Sequence, residues 1–384
     1  MTPVFVRILH PEPGPSAGPL EQFVAAARRR IAETHRAGFV AAGADDVAIV
    51  AGPPDDTPFG ARLRGLVDRA RPGGFVVLGS GAIPLATAAD RQAFVDAARG
   101  PGRWALANNR FSSDIVAVAQ AAILGDVPDL PGDNALPRWL SEVAGYEVSD
   151  LARRWRLAID VDGPLELVLI GRSADAASGA GPPSGAYRID AAGSLDLARV
   201  VDRLDRLHAV ASDRRAELLV AGRTSAATLG WLERHSACRV RALIEERGLR
   251  AASGLALRSD RGAGDRPSAL RPARPAASIL GMVLDRDGPA SLGDHLGRLA
   301  DGAIVDSRVL LAHHLGADET AWPPAEDRFA SDLLLPDRVA DPWLRALTAA
   351  AVEAPIPILL GGHTLVGPGI RLVVRPRHRL PRWT

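Results

Sequence analysis

Short apolar runs alternate with amphipathic segments along most of this chain, and that rhythm constrains the fold more than any motif does. Val4-Phe5-Val6-Arg7-Ile8-Leu9, Val47-Ala48-Ile49-Val50, Phe75-Val76-Val77-Leu78 and Trp104-Ala105-Leu106-Ala107 have the length of buried strands. The first three run out into Pro- or Gly-rich turns and the fourth into the polar run Asn108-Asn109-Arg110. Between them lie segments of helical period, the clearest being residues 20–37, where Leu20, Phe23, Val24, Ala27 and Ile31 recur three and four apart. Residues 57–70 and 87–99 read as further helices. Apolar strands separated by helices bury both faces, so the expected fold is α/β, a mainly parallel sheet with helices on both faces.

The same style continues to the end of the chain. Residues 112–124 read as a helix capped by Ser112 or Ser113, residues 138–154 as mixed helix, and Arg156 to Asp160 as a strand. Later strands are expected at Glu217 to Ala221, Ile279 to Leu284, Ala303 to Val305 and Ile356 to Leu360, with a last one at residues 370–374, and Cys238 to Leu243 reads as a strand or the start of a helix. Helices are expected at 194–214, 224–235, 290–300 and 341–353. Pro355 and Pro357 place the strand at 356–360 at an edge or at its own beginning. Ala, Ser, Gly and Pro dominate residues 173–185, which read as a linker between a domain at 1–172 and a second α/β domain at 186–384. Arg, Pro and Gly fill residues 259–276, a segment expected to be disordered.

Composition excludes several chemistries. All 46 basic residues among the 384 are arginine, which rules out a Walker A loop, a pyridoxal Schiff base and any lysine nucleophile. A single cysteine, Cys238, allows neither an internal disulfide nor a cysteine zinc site. A formal charge of +1 and 4% aromatic residues argue against nucleic acid as a partner. No apolar stretch reaches the roughly 18 residues a membrane span needs, and no signal peptide is evident, so a cytoplasmic protein without a membrane partner is expected.

Polar constellations gather at the expected strand ends. Gly79-Ser80-Gly81 could approach a phosphate or sugar closely, or serve only as a tight strand-to-helix turn. Asn108-Asn109-Arg110 with Ser112-Ser113-Asp114 could read a base or sugar through two amides, a guanidinium and a carboxylate. The alternative for that run is a loop followed by an N-capped helix. Asp160 and Asp162 could share a metal ion if a turn begins at Val161, and otherwise cap the turn before Gly163-Pro164. In the second half, Arg223 and Thr224 follow a strand and open a helix, while Asp285, Asp306 and His363 stand near further strand ends. Each of these suits ordinary turn and capping chemistry as well.

The segments VLGSGAIPL and LAIDVDGPLEL stand in the order of two motifs of the GT-A-like nucleotidyltransferases, of the molybdenum-cofactor and phospholactate guanylyltransferase type, which residues 1–170 resemble. The resemblance implies a GT-A/Rossmann-like fold, a nucleotide or nucleotide-sugar ligand, and magnesium-dependent nucleotidyl transfer with Asp160 and Asp162 as catalytic metal ligands. Asn108, Asn109, Arg110 and Asp114 would then recognise the ligand, with Gly79, Ser80 and Gly81 beside its phosphates. Ser80-Gly81-Ala82 stands where the family has a metal-binding Asp, and HPEPGPSAGP replaces its basic first loop. Two other readings stay open. One is a non-catalytic binding or scaffold protein, able to form a homo-oligomer; the other is an enzyme whose site lies in the second domain.

Overall fold

The computed structural model describes residues 1–67, 73–130, 132–176, 197–245 and 277–374. They divide into two compact units, one of residues 1–17 and 22–161, the other of residues 18–21, 162–245 and 277–374. The protein is α/β in both.

Among the described residues, ten strands and α-helices precede residue 161: β1 (Val4–Pro11), α1 (Pro19–Ala41), β2 (Asp46–Gly52), α2 (Phe59–Leu66), β3 (Gly74–Gly79), α3 (Ala88–Arg99), β4 (Trp104–Ala107), β5 (Ile115–Val118), α4 (Leu136–Glu142) and β6 (Glu147–Asp150). Their strands form a six-stranded sheet in the order β2-β1-β3-β5-β4-β6. β1 is parallel to β2 and β3, β4 is parallel to β6, and β5 is antiparallel to both neighbours.

Strand alternation makes two cores, one on each face of this sheet. Val4, Val6 and Ile8 of β1 and Val76 and Leu78 of β3 pack with Phe39, Phe94 and Val95 from α1 and α3. Phe75 and Val77 point the other way, into Leu63, Leu136, Trp139 and Leu140 from α2 and α4. Each such large side chain contributes roughly 1.5–3 kcal/mol by leaving water. Helix α3 starts where it does because Thr87 and Asp90 form a reciprocal capping box.

Three expectations for this unit are corrected, the first being the mixed helix at 138–154: α4 ends at Glu142 and residues 147–150 are the strand β6. Residues 115–118 are a strand and not part of a helix, because Asn108 closes a tight antiparallel connection. Its Oδ1 accepts from the backbone N–H of Asp114 at 2.9 Å, and the Asn108 N–H donates to the Ile115 carbonyl at 3.2 Å. The apolar run Ile115-Val116-Ala117-Val118, three of its four residues β-branched, then suits a strand buried on both faces. Residues 155–158 form a short 3-10 turn where a strand was expected, and only Asp160 makes a single bridge, to Ala82.

The second unit contains α5 (Pro164–Ala176), α6 (Ala198–Ser212), β7 (Glu217–Gly222), α7 (Ala226–His235), β8 (Arg239–Ile244), α8 (Ile279–Asp287), α9 (Leu292–Gly297), β9 (Gly302–Asp306), α10 (Ser307–Leu315), α11 (Ala325–Asp332), α12 (Pro342–Glu353), β10 (Ile358–Gly361), α13 (His363–Val366) and α14 (Ile370–Val374). Its four strands are all parallel, in the order β10-β9-β7-β8, so the proline-led β10 does lie at an edge. Ile279 to Leu284 is helical, since Ser278 caps it by accepting from the Gly281 N–H at 3.0 Å. The expected strand at 370–374 is likewise the helix α14. Helix α5 takes in the first residues of the expected linker; the rest of that linker, and all of 259–276, lie outside the described residues.

A candidate ligand site at the carboxyl edge of the first sheet

From β1 the chain moves to β2 on one side and returns to β3 on the other. Where strand order reverses in this way, the connections leaving adjacent strand ends part and open a crevice. Here the two strand ends are Leu9-His10-Pro11 and Gly79-Ser80-Gly81. A cavity of about 240 Å³ occupies this place, walled by Leu9 and Pro11, by the whole Gly-Ser-Gly turn, and by Ser113 and Asp114 from the start of β5. Arg28, Phe59, Asp133 and Asp160 complete the polar and aromatic part of the wall.

Gly81 makes the close approach possible. A Cβ built there would lie 2.9 Å from Asp160 Oδ1, 2.9 Å from the Val161 carbonyl and 3.1 Å from Arg28 Nε. Arg28 Nε donates to that Val161 carbonyl at 2.7 Å, which fixes the guanidinium on the wall. The turn itself is locked by neighbouring backbone: the Val161 N–H donates to the Gly81 carbonyl at 3.1 Å, and the Ile83 N–H to the Ile159 carbonyl at 3.1 Å. Ile83, fully buried, is held at φ +43°, a conformation costing a β-branched residue on the order of 1–3 kcal/mol.

Buried His35 helps to hold that strained turn. Its Nε2–H donates to the Ala82 carbonyl at 2.8 Å, and its Nδ1 accepts from Arg91 Nη2 at 3.4 Å. Burial first, and the Arg91 charge second, push its pKa down to about 3, against the hydrogen bond to Ala82. The ring is therefore neutral, with its proton on Nε2.

The sequence-expected residues fare differently. Gly79, Ser80, Gly81, Asp114 and Asp160 converge on the cavity. Asn108 is buried and positions the wall: its Nδ2 donates to Asp114 Oδ2 and to the Leu157 carbonyl, both at 2.8 Å. Half-buried Asn109 accepts from the Phe111 N–H, and exposed Arg110 lies over the Phe111 ring, 5.5 Å from its centre. Asp162 is exposed, and its charge acts on Glu166 of α5.

Sequence reasoning missed Arg28, Phe59 and Asp133, and had Ser113 only as a member of the polar run or a helix cap. For Arg28 a signal existed. It stands four residues after Val24 and three before Ile31, on the inward stripe of an amphipathic helix, where a charge needs a reason.

The strand ends of the second unit close on ion pairs. Arg223, after β7, donates to both oxygens of buried Asp306, the last residue of β9, at 2.6 and 3.1 Å. Arg308 grips Asp332 of α11 with two bonds of 2.6 and 2.7 Å. Thr224 is buried, Asp285 pairs with His313 Nε2 at 3.0 Å, and half-buried His363 opens α13. Glu166 is buried nearby and accepts from the Gly163 N–H at 2.9 Å. Burial, then the charges of Asp332 and Asp162, push its pKa up to about 8.

Among the described residues no helix is long and apolar enough to cross a membrane, and no group of three or more His, Cys, Asp or Glu is placed to hold a metal ion. The fold and this edge together define an α/β, Rossmann-like protein with a polar crevice at a strand-order reversal. No family model matches the chain, and no curated protein matches it.

Proposed function

We propose that the cavity between the ends of β1 and β3 binds the phosphate-bearing part of a nucleotide or nucleotide-sugar, as in a divergent nucleotidyltransferase. The observation that carries this reading is the coincidence of the strand-order reversal with a Gly-Ser-Gly turn and an arginine on one cavity wall. At about 240 Å³ the space suits a phosphate and part of a sugar, so the remainder of a nucleotide would extend from the mouth. Arg28 would meet the anion by charge-assisted hydrogen bonds. One half-buried carboxylate suits magnesium, which takes one or two carboxylates and fills its shell with phosphate and water oxygens. Asp160 would hold such an ion, whose charge would offset that of the phosphates.

A second reading, ligand binding without transfer, is favoured by the commitment of Asp114 to Asn108, which draws that carboxylate away from an ion shared with Asp160. Calorimetric titration of the full chain with each of the four nucleoside triphosphates, with and without magnesium, tests the proposal. Binding of at least one, weakened about tenfold or more in Arg28→Ala, is expected. Silence with all four at millimolar concentration would sink it. Magnesium-dependent binding lost in Asp160→Ala would favour transfer, and magnesium-independent binding the second reading.

A further inference from the structure

Ser80 faces the cavity and is held from behind by a histidine. Alternation along β1 puts His10 on the same side as Val4, Val6 and Ile8, and the parallel register sets Leu9 beside Gly79. One step further on, His10 meets Ser80, with Nδ1 and Oγ 3.1 Å apart. Both side chains are buried, at 5% and 2% exposure. The Ser80 N–H also donates to the Leu9 carbonyl at 2.8 Å, so the backbone holds the pair together.

A hydroxyl has one proton to give. When His10 Nδ1 is bare, Ser80 donates to it and turns lone pairs toward the cavity. When Nδ1 carries a proton, the ring donates to Oγ and the hydroxyl proton is free to reach a ligand. A protonated ring permits only the second arrangement, and that is the one a phosphate oxygen requires.

The charges acting on the ring set its resting state. Arg28 and Arg29 come from α1, and Glu12 follows β1. Burial first, then Arg29, hold the imidazole below its ordinary value; Glu12 opposes them and Arg28 adds a smaller lowering. Burial and the two arginines thus favour the neutral ring. A phosphate beside Arg28 would offset the arginine charges and accept the Ser80 proton, and both effects favour a charged ring.

We infer that His10 is a proton-linked positioning residue: an anionic, phosphate-bearing ligand enters this cavity together with a proton taken from solvent by His10, and Ser80 turns its hydroxyl proton from the ring to the ligand. The inference rests on the proposed phosphate-binding role of the cavity. Because binding takes up a proton, affinity rises as pH falls through the ring's value in the complex, and levels off below its value in the free protein.

The test is calorimetric titration of the full chain with the four nucleoside triphosphates and with inorganic pyrophosphate, between pH 5.5 and 8. Each titration is run in two buffers of different ionisation enthalpy and repeated on His10→Gln. The variant subtracts the titration of the phosphates themselves. Wild type is expected to take up more protons than the variant and to gain about tenfold more affinity across the range. Carbon-detected titration of the His10 ring in wild type, with and without the bound probe, needs no variant and should show its midpoint moving up by about one pH unit. Binding with an unmoved His10 midpoint and equal proton uptake in His10→Gln would overturn the proton linkage alone. No binding of any probe at any pH would overturn the cavity reading and this inference with it.

Discussion

Two buried ionisable residues make the stability of this chain depend on pH in opposite ways. His35 is neutral in the folded protein, with its pKa depressed to about 3 from 6.5. Between those values the unfolded chain binds a proton that the folded one refuses, so stability is lost as pH falls from about 6.5 toward 3. Glu166 is raised, from 4.5 to about 8, so the folded chain keeps a proton the unfolded one has released. Stability from that site is complete below about 4.5 and is lost as pH rises through 8. Urea denaturation across pH should show Glu166→Gln losing less stability than wild type between pH 5 and 8.5. Equal slopes for the two proteins would refute the assignment. Neither residue announces itself in the sequence: His35 is one polar letter inside the helical pattern at 20–37, and Glu166 one letter of LAIDVDGPLEL. Arg28 was more legible, since its place on the apolar stripe of α1 can be counted.

Elements were legible where one period held for long enough. The helix at 20–37 and the strands at 47–50 and 75–78 appear close to the expected bounds. Two other apolar runs were not: Ile279 to Leu284 and Ile115 to Val118 went opposite ways, and caps and partners chose between them. Those same devices yield measurable costs. Thr87→Ala removes half of the α3 capping box and should cost about 1 kcal/mol in chemical denaturation. Gly222, at φ +124°, ends β7 against Asp306, whose Cβ would lie 2.2 Å from an added methyl. Gly222→Ala should therefore destabilise by about 2–3 kcal/mol and disturb the Arg223–Asp306 pair, whereas Gly52→Ala, with open space around its Cα, should cost less than about 1 kcal/mol. Similar losses for the two would remove the steric argument.

For the whole molecule, the proposed site belongs to one sheet only. A ligand bound at 100 times its dissociation constant contributes about 2.7 kcal/mol to the state that binds it. Hydrogen exchange at saturating nucleotide should slow most at the amides of Leu9, His10 and Gly79 to Ile83, and least along β7 and β9. Protection centred on β7 and β9 would move the site to the second unit, near Arg223 and Asp306.

The α/β class and the Gly-Ser-Gly strand end follow from the sequence alone, because hydrophobic period and turn chemistry are local and leave their mark within ten or fifteen residues. Composition also settled what is chemically out of reach, since a chain without lysine cannot form a lysine Schiff base. The sheet order, the antiparallel β5, and the meeting of Arg28, Ser80, Asp114 and Asp160 around one cavity were decided only in three dimensions. Those groups lie up to 132 residues apart in sequence, from 28 to 160, and no local pattern links them. The pairing of His10 with Ser80 is of the same kind: it depends on the register of two parallel strands, which long-range packing sets and which no single segment encodes.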